Sequence, residues 1–384
     1  MKKMKIVVAP DSFKGSLTAN EICTIVKTVA EEVFEGCEVV GIPVADGGEG
    51  TVDSILQALN GNRIDLKVQN ALGQKISTYY GIFNESCAIM EMASASGLPL
   101  IPEKERDVMQ SNTYGTGEMI LHAMENGCET IYIGIGGSAT NDCGIGCMEA
   151  LGVVFLDDSG QKINPVPDNF MKITKIDTVN LHEKIKDTKI IIMSDVKNLV
   201  LGERGATNVF GPQKGASKEQ LLILEKGMEH IVNLMEKSQN IELKMIEGGG
   251  GAGGLGAGLF AFTHATMQSG VETVLDILEF KEKTKGADLI VTGEGMMDYQ
   301  SAYGKVAYGV GNIAKEQNIP CVAVVGGLGK NAEVMFSHGI DTMTTTVNGI
   351  MTLDEAMAEA EQLCMQSVRR LFRAIAVGMT MKTE

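Results

Sequence analysis

Six short apolar runs, spread along the chain, constrain its fold more than any other feature of the sequence. Each is rich in β-branched residues and ends at or beside Gly, Asp or Ser, and most lead into a stretch with helical spacing. The runs are KIVVAP (5–10), VVGIPVA (39–45), TIYIGI (130–135), KIIIMSD (189–195), DLIVTGE (288–294) and CVAVVGG (321–327). Strands of a parallel sheet are buried on both faces and therefore read as continuous apolar runs. The pattern predicts an α/β protein with mainly parallel sheets flanked by helices.

Other stretches refine this prediction. Helices are expected at 18–35 and near 50–60, and a long polar helix is expected at 217–238. Residues 63–92 contain three β-prone runs with short turns and little helical spacing, which predicts an antiparallel meander where the chain changes domain. The glycine-rich run at 248–258 suggests a second crossing point. The tail at 353–378 has the spacing of a packing helix.

Composition excludes several classes of partner. The net charge is −16 without any Lys/Arg cluster, which argues against nucleic acid and anionic membrane as partners. The N-terminal apolar run is too short for a secretory signal, and no stretch of about 20 apolar residues exists for a membrane span. The eight cysteines are scattered, and the one C-x-x-x-C pair has no second ligand pair. We expect a cytoplasmic protein without a structural zinc site, with small molecules as ligands and its oligomeric state left open.

The residues that follow the strands are the functional candidates, because ligands of open parallel sheets bind at the carboxyl ends of the strands. Five strand ends carry carboxylate, amide or hydroxyl groups, and four of them also contain glycine. They are PDSFKGS (10–16), ADGGEGT (45–51), GGSATND (136–142), SDVKN (194–198) and TGEGMMD (292–298). Five such ends in one chain indicate a binding site.

One of these loops also matches a dinucleotide-binding turn, Gly134-x-Gly136-x-x-Ala139, with Asp157 and Asp158 downstream. Such a turn needs its helix to begin at once, whereas here Asn, Asp and two further glycines follow through Gly146. A helix that starts late, capped near Asn141 or Asp142, is expected instead. The loop then either cradles a phosphate or carboxylate or is a purely structural turn. The glycines at 248–258 leave binding and packing equally open, and no P-loop or nucleophile elbow is present.

What remain are carboxylates at the predicted strand ends and isolated lysines in glycine-flanked loops. Carboxylates that ligate Mg²⁺ or orient a hydroxyl, together with lysines on phosphate oxygens, are the parts of a phosphoryl-transfer site. The candidates are Asp11, Asp46, Glu49, Asp142, Asp195, Glu294, Asp298, Lys14, Lys214 and Lys305.

At these residues the sequence resembles a known family. The segments APDSFKGSL, IPVADGGEGTVD, EMASASGLPL, YGTGE, GIGGSATND, FGPQKGA and TGEGMMDYQSAYGK occur in this order. Together they are similar to the type-1 glycerate kinases of bacteria, from residue 4 to about 378. The resemblance implies ATP-dependent phosphorylation of D-glycerate, usually to the 2-phosphate and less often the 3-phosphate, with Mg²⁺. It also implies two α/β domains with a ligand cleft between them, which we expect at 1–70 plus 270–384 and at 71–269.

The resemblance also implies roles for individual residues. Asp195, Lys14 and Lys214 are expected in catalysis, with Asp195 orienting the substrate hydroxyl or accepting its proton. As hypotheses from their strand-end positions, Asp46, Glu49 and Asp298 are expected to be metal ligands or to contact a substrate hydroxyl. Substrate and ATP contacts are expected at Asp11, Ser12, Asp46, Gly47, Gly48, Glu49, Gly136, Gly137, Ser138, Asn141, Asp142, Asn198, Gln213, Glu294, Gln300 and Lys305. Met296 stands where the family usually has Arg, which leaves substrate preference open.

Two other functions remain as alternatives. A nicotinamide-dependent oxidoreductase would use the 134–139 loop for its dinucleotide. A two-domain protein that binds glycerate without turnover would use the same cleft and lack activity.

Overall fold

The computed structural model of the chain describes residues 3–381. It forms two compact units: the first contains the residues up to Asp46 together with those from Val271 onward, and the second contains Gly47–Gly270.

The strands are β1 (Lys5–Pro10), β2 (Glu38–Gly41), β3 (Asn62–Gln69), β4 (Lys75–Phe83), β5 (Cys87–Glu91), β6 (Thr130–Gly134), β7 (Val154–Leu156), β8 (Lys175–Asp177), β9 (Lys189–Met193), β10 (Thr266–Gln268), β11 (Leu289–Gly293), β12 (Met296–Met297), β13 (Cys321–Val325), β14 (Gly327–Leu328) and β15 (Thr342–Thr345). The α-helices are α1 (Ala19–Val33), α2 (Thr51–Leu59), α3 (Ala93–Ser96), α4 (Tyr114–Glu125), α5 (Ile145–Ala150), α6 (Ala206–Phe210), α7 (Lys218–Gln239), α8 (Gly251–Thr263), α9 (Gly270–Ile277), α10 (Phe280–Lys283), α11 (Val306–Gln317), α12 (Leu353–Ala358) and α13 (Ala360–Thr380).

The first unit is built on a sheet with the strand order β15-β13-β11-β1-β2, in which all neighbouring strands are parallel. The strands β1, β11 and β13 are buried along nearly their whole length, which explains their continuous apolar sequences. The helices α1 and α13 pack together on this sheet, and the rings of Phe34 and Phe372 approach to 5.3 Å there. Helix α11 also packs against β1, β11 and β13.

The second unit is built on a sheet with the strand order β10-β9-β6-β5-β4-β3. Strands β10, β9, β6 and β5 are parallel to one another, whereas β4 and β3 are added as antiparallel hairpins. The expected meander at 63–92 is therefore confirmed. The core of this unit joins the sheet to α4, α5, α7 and α8. Both units together confirm the expected α/β class with mainly parallel sheets flanked by helices.

The division into units differs from the expected domain boundary near residue 70. Residues 47–70 belong to the second unit, because β3 pairs with β4 and α2 packs against β4 and β5. On the other side, the change at Gly270 coincides with the expected position. That the units are separate folding domains stays a prediction.

Helix boundaries follow local capping chemistry. Helix α1 begins after Thr18, whose hydroxyl accepts a hydrogen bond from the Glu21 amide at 3.2 Å while Glu21 Oε2 accepts from the Thr18 amide. The expected helix at 353–378 is two helices, α12 and α13, which meet at Glu359. Within residues 3–381, no helix combines the length and apolar character that crossing a bilayer would need.

Candidate functional site

The strand-end motifs are divided between the two units. Residues 10–16, Asp46 and residues 292–298 belong to the first unit, whereas residues 47–51, 136–142 and 194–198 belong to the second. Each unit therefore has its own set of polar residues at the carboxyl ends of its parallel strands, and each set is described separately.

The predicted site residues differ widely in their exposure. Lys14, Glu49, Gly136, Gly137, Asp195, Gln213 and Gln300 are exposed. Asp11, Ser12, Asp46, Gly48, Asn198, Asp298 and Lys305 are half-buried, and Gly47, Ser138, Asn141, Asp142, Lys214 and Glu294 are buried.

A pocket of about 530 Å³ lies at the strand ends of the first unit, and we call it the first-unit pocket. Its polar lining consists of Asp11, Ser12, Lys14, Ser16, Asp46, Glu294, Lys305 and Thr346. Its apolar lining consists of Phe13, Met296, Val347, Leu353, Ala356, Met357 and Ala360, and glycines 295, 326 and 327 complete it. The size is typical of pockets for small-molecule ligands, which are about 300–1,000 Å³.

Asp11 follows the central strand β1 and begins the loop that carries Lys14. The Asp11 amide donates to Gly293 O at 2.8 Å, and its carboxylate Oδ1 accepts from the Ser12 amide at 2.7 Å. Burial, together with the neighbouring charges of Asp46 and Glu294, raises the pKa of Asp11 to about 7, although the Ser12 amide opposes this shift. A nearby positive charge would therefore stabilise the ionised form of the Asp11 carboxylate.

The loop after Asp11 is a closed turn that presents Lys14. The Phe13 amide donates to Leu17 O at 2.7 Å, and the Leu17 amide donates back to Phe13 O at 3.1 Å. Gly15 has φ +78° and faces Met357, whose Cε would be 2.9 Å from an added Cβ. This turn therefore requires glycine next to Lys14, for its backbone angle and for its close approach to the pocket wall.

Glu294 and Lys305 form an ion pair at the edge of the pocket. Lys305 Nζ lies 2.7 Å from Glu294 Oε2, and the Glu294 side chain is 5% exposed against 32% for Lys305. Burial raises the pKa of Glu294, although Lys305 opposes this shift. Lys305 also donates to Met296 O at 3.4 Å, so part of its hydrogen-bonding capacity is used inside the unit.

Asp298 and Gln300 lie outside the pocket lining. Asp298 caps the short 3₁₀ helix Tyr299–Ala302, because its Oδ1 accepts from the Gln300 amide at 2.8 Å. The Gln300 side chain is exposed and donates to Tyr299 Oη at 3.1 Å. Within residues 3–381 no group of three His, Cys, Asp or Glu side chains is arranged to hold a metal ion.

The loop at 136–146 of the second unit is largely buried. The Ala139 amide donates to Ser96 O at 2.9 Å and Gly137 O accepts from the Leu98 amide, which fixes the start of the loop. Helix α5 begins only at Ile145, which confirms the expected late start. Asp157, in turn, caps its own exposed turn after β7, and β7 pairs with β8 in a separate two-stranded sheet. A dinucleotide fold requires a helix that begins directly after the loop and an acidic residue at the end of a neighbouring strand in the same sheet. Neither feature is present at these positions.

Asp142 organises this loop from a fully buried position. Its Oδ2 accepts from Thr113 N at 2.8 Å, Thr113 Oγ1 at 2.7 Å and Gly146 N at 3.1 Å, and its Oδ1 accepts from Gly144 N at 3.2 Å. Burial raises the pKa of Asp142, and these four hydrogen bonds oppose that shift. The carboxylate is thus fully engaged in holding the loop and the start of α5.

Lys214 lies beneath the same loop and is 2% exposed. Its Nζ donates to Thr140 O at 2.6 Å. Burial lowers the pKa of Lys214 to about 7, and the charge of Asp142 raises it in opposition. Two buried polar atoms of the same loop, Thr140 Oγ1 and Asn141 Oδ1, have no hydrogen-bond partner among the described residues. Such atoms are usually completed by water or ligand.

The glycine-rich run packs against this loop. The Cys143 amide donates to Gly253 O at 2.9 Å, and a Cβ on Gly253 would collide with Thr140 O. Residues 252–254 have left-handed backbone angles inside α8, and the helix is kinked there. These contacts support the packing interpretation of residues 248–258.

The segment after β9 carries Asp195 and Asn198. The Ser194 amide donates to Gln268 O at 3.0 Å, Asn198 Nδ2 donates to Arg204 O at 2.7 Å, and Asn198 O accepts from the Gly250 amide. Asp195 lies between these anchors with its side chain exposed. The anchors fix the backbone on both sides of this carboxylate.

Sequence reasoning missed Glu91, which ends strand β5. Its Oε1 accepts from the Val52 amide at the start of α2 at 3.1 Å. Burial, together with the Asp53 and Glu49 charges, raises the pKa of Glu91 to about 7, although the Val52 amide opposes this shift. The rule that ligands bind at the carboxyl ends of parallel strands, which we call the strand-end rule, would have selected Glu91 if it had been applied to the meander as well.

Comparisons with known proteins agree with this architecture. Residues 6–376 match the family model described as the glycerate kinase family. The chain is 42% identical to a protein of Halalkalibacterium halodurans named glycerate kinase, over 95% of this chain and 97% of the relative. It is 40% identical to an Escherichia coli K12 protein named glycerate 2-kinase, over 98% and 99%. A crystal structure from Salmonella typhimurium LT2, of a protein provisionally named glycerate kinase 2, aligns with a TM-score of 0.91 at 36% identity, over 99% of this chain and 100% of that one.

Proposed function

The chain belongs to the glycerate kinase family, and we propose that it transfers the terminal phosphoryl group of ATP to the C2 hydroxyl of D-glycerate, giving 2-phosphoglycerate. The C3 hydroxyl is the less favoured acceptor, because the Escherichia coli relative is named a 2-kinase. Transfer forms a bond between the C2 oxygen and the terminal phosphorus, breaks the bond from that phosphorus to the oxygen of ADP, and releases the hydroxyl proton. Catalysis of this kind consists mainly of positioning and of charge neutralisation.

The observation that carries the proposal is the first-unit pocket, where three carboxylates, one of them Glu294, and two lysines surround one cavity. Asp11, Asp46, Lys14 and Lys305 all line it. Lysines neutralise phosphate oxygens, and carboxylates supply the hard oxygen ligands that Mg²⁺ prefers. No nucleophilic Cys or His is required by such a reaction.

Mg²⁺ fits Asp11 and Asp46. The ion usually keeps several waters and takes one or two carboxylates together with substrate phosphates, so a cluster of three protein ligands is not needed. The raised pKa of Asp11, caused by burial and by the Asp46 and Glu294 charges, indicates a site that a cation would stabilise. When bound, Mg²⁺ would neutralise charge on the phosphate oxygens. Of the originally predicted ligands, Glu49 belongs to the second unit and Asp298 is engaged as a helix cap.

The remaining roles are proposals of the same kind. Asp195 accepts the proton of the substrate hydroxyl, because it is an exposed carboxylate on a segment whose backbone is anchored on both sides. Lys14 contacts phosphate from its glycine-supported turn. Lys214 is a positioning residue that supports residues 140–142 through its bond to Thr140 O. Free thiols at all eight cysteines support a reducing, cytoplasmic location.

The test is ADP release with Mg-ATP and D-glycerate, followed by enolase without a mutase. ADP release with direct enolase turnover supports transfer to the C2 hydroxyl. Release that reaches enolase only after a mutase is added indicates the C3 hydroxyl instead. Glycerate binding without release of a nucleoside diphosphate from any nucleoside triphosphate would show a binding protein and refute the proposal.

A further inference from the structure

The apolar half of the first-unit pocket is not explained by the chemistry of glycerate. We propose that this wall binds the base and ribose of the nucleotide, so that the first unit holds ATP; this inference rests on the proposed kinase function. The wall is formed by Met296 and by residues 347–360, and the phosphate-binding groups line the other side of the same pocket.

The wall is apolar surface that the folded unit leaves open. Leu353 is 74% exposed, Met296 is 53% exposed and Met357 is 36% exposed, and all three line the pocket. Leu353 is the first residue of α12, and the Thr352–Glu355 capping box fixes the start of that helix. The exposed position of Leu353 is therefore held by local hydrogen bonds, and a flat ligand covering these side chains would remove apolar area from water.

The size and polarity of the pocket favour a nucleotide over the acceptor. Glycerate is a small acid with an oxygen on every carbon, so it has no apolar face to set against these side chains. A pocket of about 530 Å³ is also large for such a molecule. A purine nucleotide has a flat ring system at one end and phosphates at the other, which matches a pocket with one apolar and one charged side.

The two sides of the pocket are in direct contact, which makes them one site. Gly15, next to Lys14 in the closed turn, faces Met357 so closely that a side chain at this position would displace the methionine. Lys14 at the tip of the turn and the Asp11 carboxylate at its base therefore lie beside the apolar wall. A ligand that touches Met357 is within reach of both polar groups.

The glycine-rich segments of the second unit offer a poorer nucleotide site. Residues 251–258 are buried and pack against residues 140–144. Gly136 and Gly137 are exposed, but the loop that contains them is otherwise buried around Asp142 and Lys214. Backbone amides of this kind suit a small anion, such as the carboxylate of the acceptor.

Photolabelling tests the location directly. The full chain is irradiated with Mg²⁺ and 8-azido-ATP, in the absence of glycerate, and the labelled peptides are identified by mass spectrometry. We expect label in the segment 346–360, and excess ATP should prevent it. Label confined to residues 130–146 or 248–258, or label that ATP does not displace, would overturn the inference.

Kinetics with a matched pair of variants provide the second measurement. Leu353→Ser should raise the KM for ATP and the Kd for a fluorescent ADP about fivefold to tenfold, and it should change the KM for glycerate less than twofold. Leu222→Ser is the control, because Leu222 is 69% exposed on α7 of the second unit and should change neither constant. A larger effect of Leu353→Ser on the KM for glycerate than on the KM for ATP would assign the wall to the acceptor.

The two proposals can fail separately. ADP binding that depends on Leu353, without any turnover of glycerate, would support the nucleotide site and refute the kinase reaction. Turnover with ATP and label outside the first unit would retain the reaction and refute the site. A wild-type protein that binds no ATP or ADP would overturn this inference, whatever its activity with other donors.

Discussion

Asp11 gives the most direct test of the electrostatics of the first-unit pocket. Burial, together with the Asp46 and Glu294 charges, raises its pKa from the ordinary value of 3.8 to about 7. Between these two pH values the folded protein holds a proton that the unfolded chain has released. The stability of the folded state therefore falls as pH rises from about 4 to about 7, and above pH 7 the whole cost of the buried charge is present.

The size of the effect follows from the shift. Each pKa unit corresponds to about 1.4 kcal/mol, so the full cost of the Asp11 charge is about 4 kcal/mol. About 2 kcal/mol of this cost falls between pH 5 and pH 8. Asp11→Asn removes the charge and keeps the oxygen that accepts from the Ser12 amide. Relative to wild type, the variant should gain about 2 kcal/mol more at pH 8 than at pH 5.

Calorimetric melting of the free protein at pH 5 and pH 8 measures this difference. For a unit of this size, about 2 kcal/mol corresponds to a shift of roughly 4–8 °C in Tm. Asp276→Asn is the control, since Asp276 is exposed in the first unit and its replacement should change stability by about 0.5 kcal/mol or less at both pH values. Equal gains of Asp11→Asn at the two pH values, or a loss at pH 8, would refute the reasoning.

Three further substitutions test other parts of the structure. Asp195→Asn should lower kcat at least about 100-fold, because the hydroxyl proton loses its acceptor, while the Kd for ADP stays within twofold; a near-normal kcat would eliminate this role. Asp142→Asn should cost about 2 kcal/mol in urea unfolding, because the amide nitrogen cannot accept from the Gly144 amide and leaves a buried donor unpaired; unchanged stability would show that the loop relaxes. Gly253→Ala should cost at least about 2 kcal/mol, since φ is +66° and the methyl group meets Thr140 O. Gly378→Ala is its control, because nothing lies within 4 Å of the added methyl group and α13 should become slightly more stable.

Much of the fold was predictable because its signals are local. Strands buried on both faces read as unbroken apolar runs, and capping residues such as Thr18 and Ser217 stand directly before the helices α1 and α7. The assignment of residues 47–70 to a unit was not predictable in this way. The sequence of α2 shows that one face is apolar, but it does not show which sheet covers that face.

The polar part of the candidate site was easier to predict than its apolar part. Asp11, Asp46 and Glu294 follow parallel strands, and the strand-end rule selects such residues from the sequence. The wall at 347–360 has the same helical spacing as a core helix, so periodicity alone cannot separate a face that packs inside from one that lines a pocket. Lys214 was expected to act in catalysis, and only the tertiary structure shows that its side chain is buried against Thr140.

The division of the strand ends between two sheets bears on how the substrates are assigned. The strand-end rule, applied to the sequence, treats all five motifs as one site, although it holds for each sheet separately. The structure gives one edge with Asp11, Asp46 and an open apolar wall, and another edge with Asp195 and a loop held by Asp142. A kinase needs a donor site that accommodates a large, flat and highly charged molecule, and an acceptor site that accommodates a small acid. The first edge offers the donor a pocket with an open apolar wall, and Asp195, the proposed proton acceptor, lies on the second edge. We therefore propose the first unit as the donor site and the second unit as the acceptor site, and label from 8-azido-ATP in residues 130–146 would reverse both proposals together.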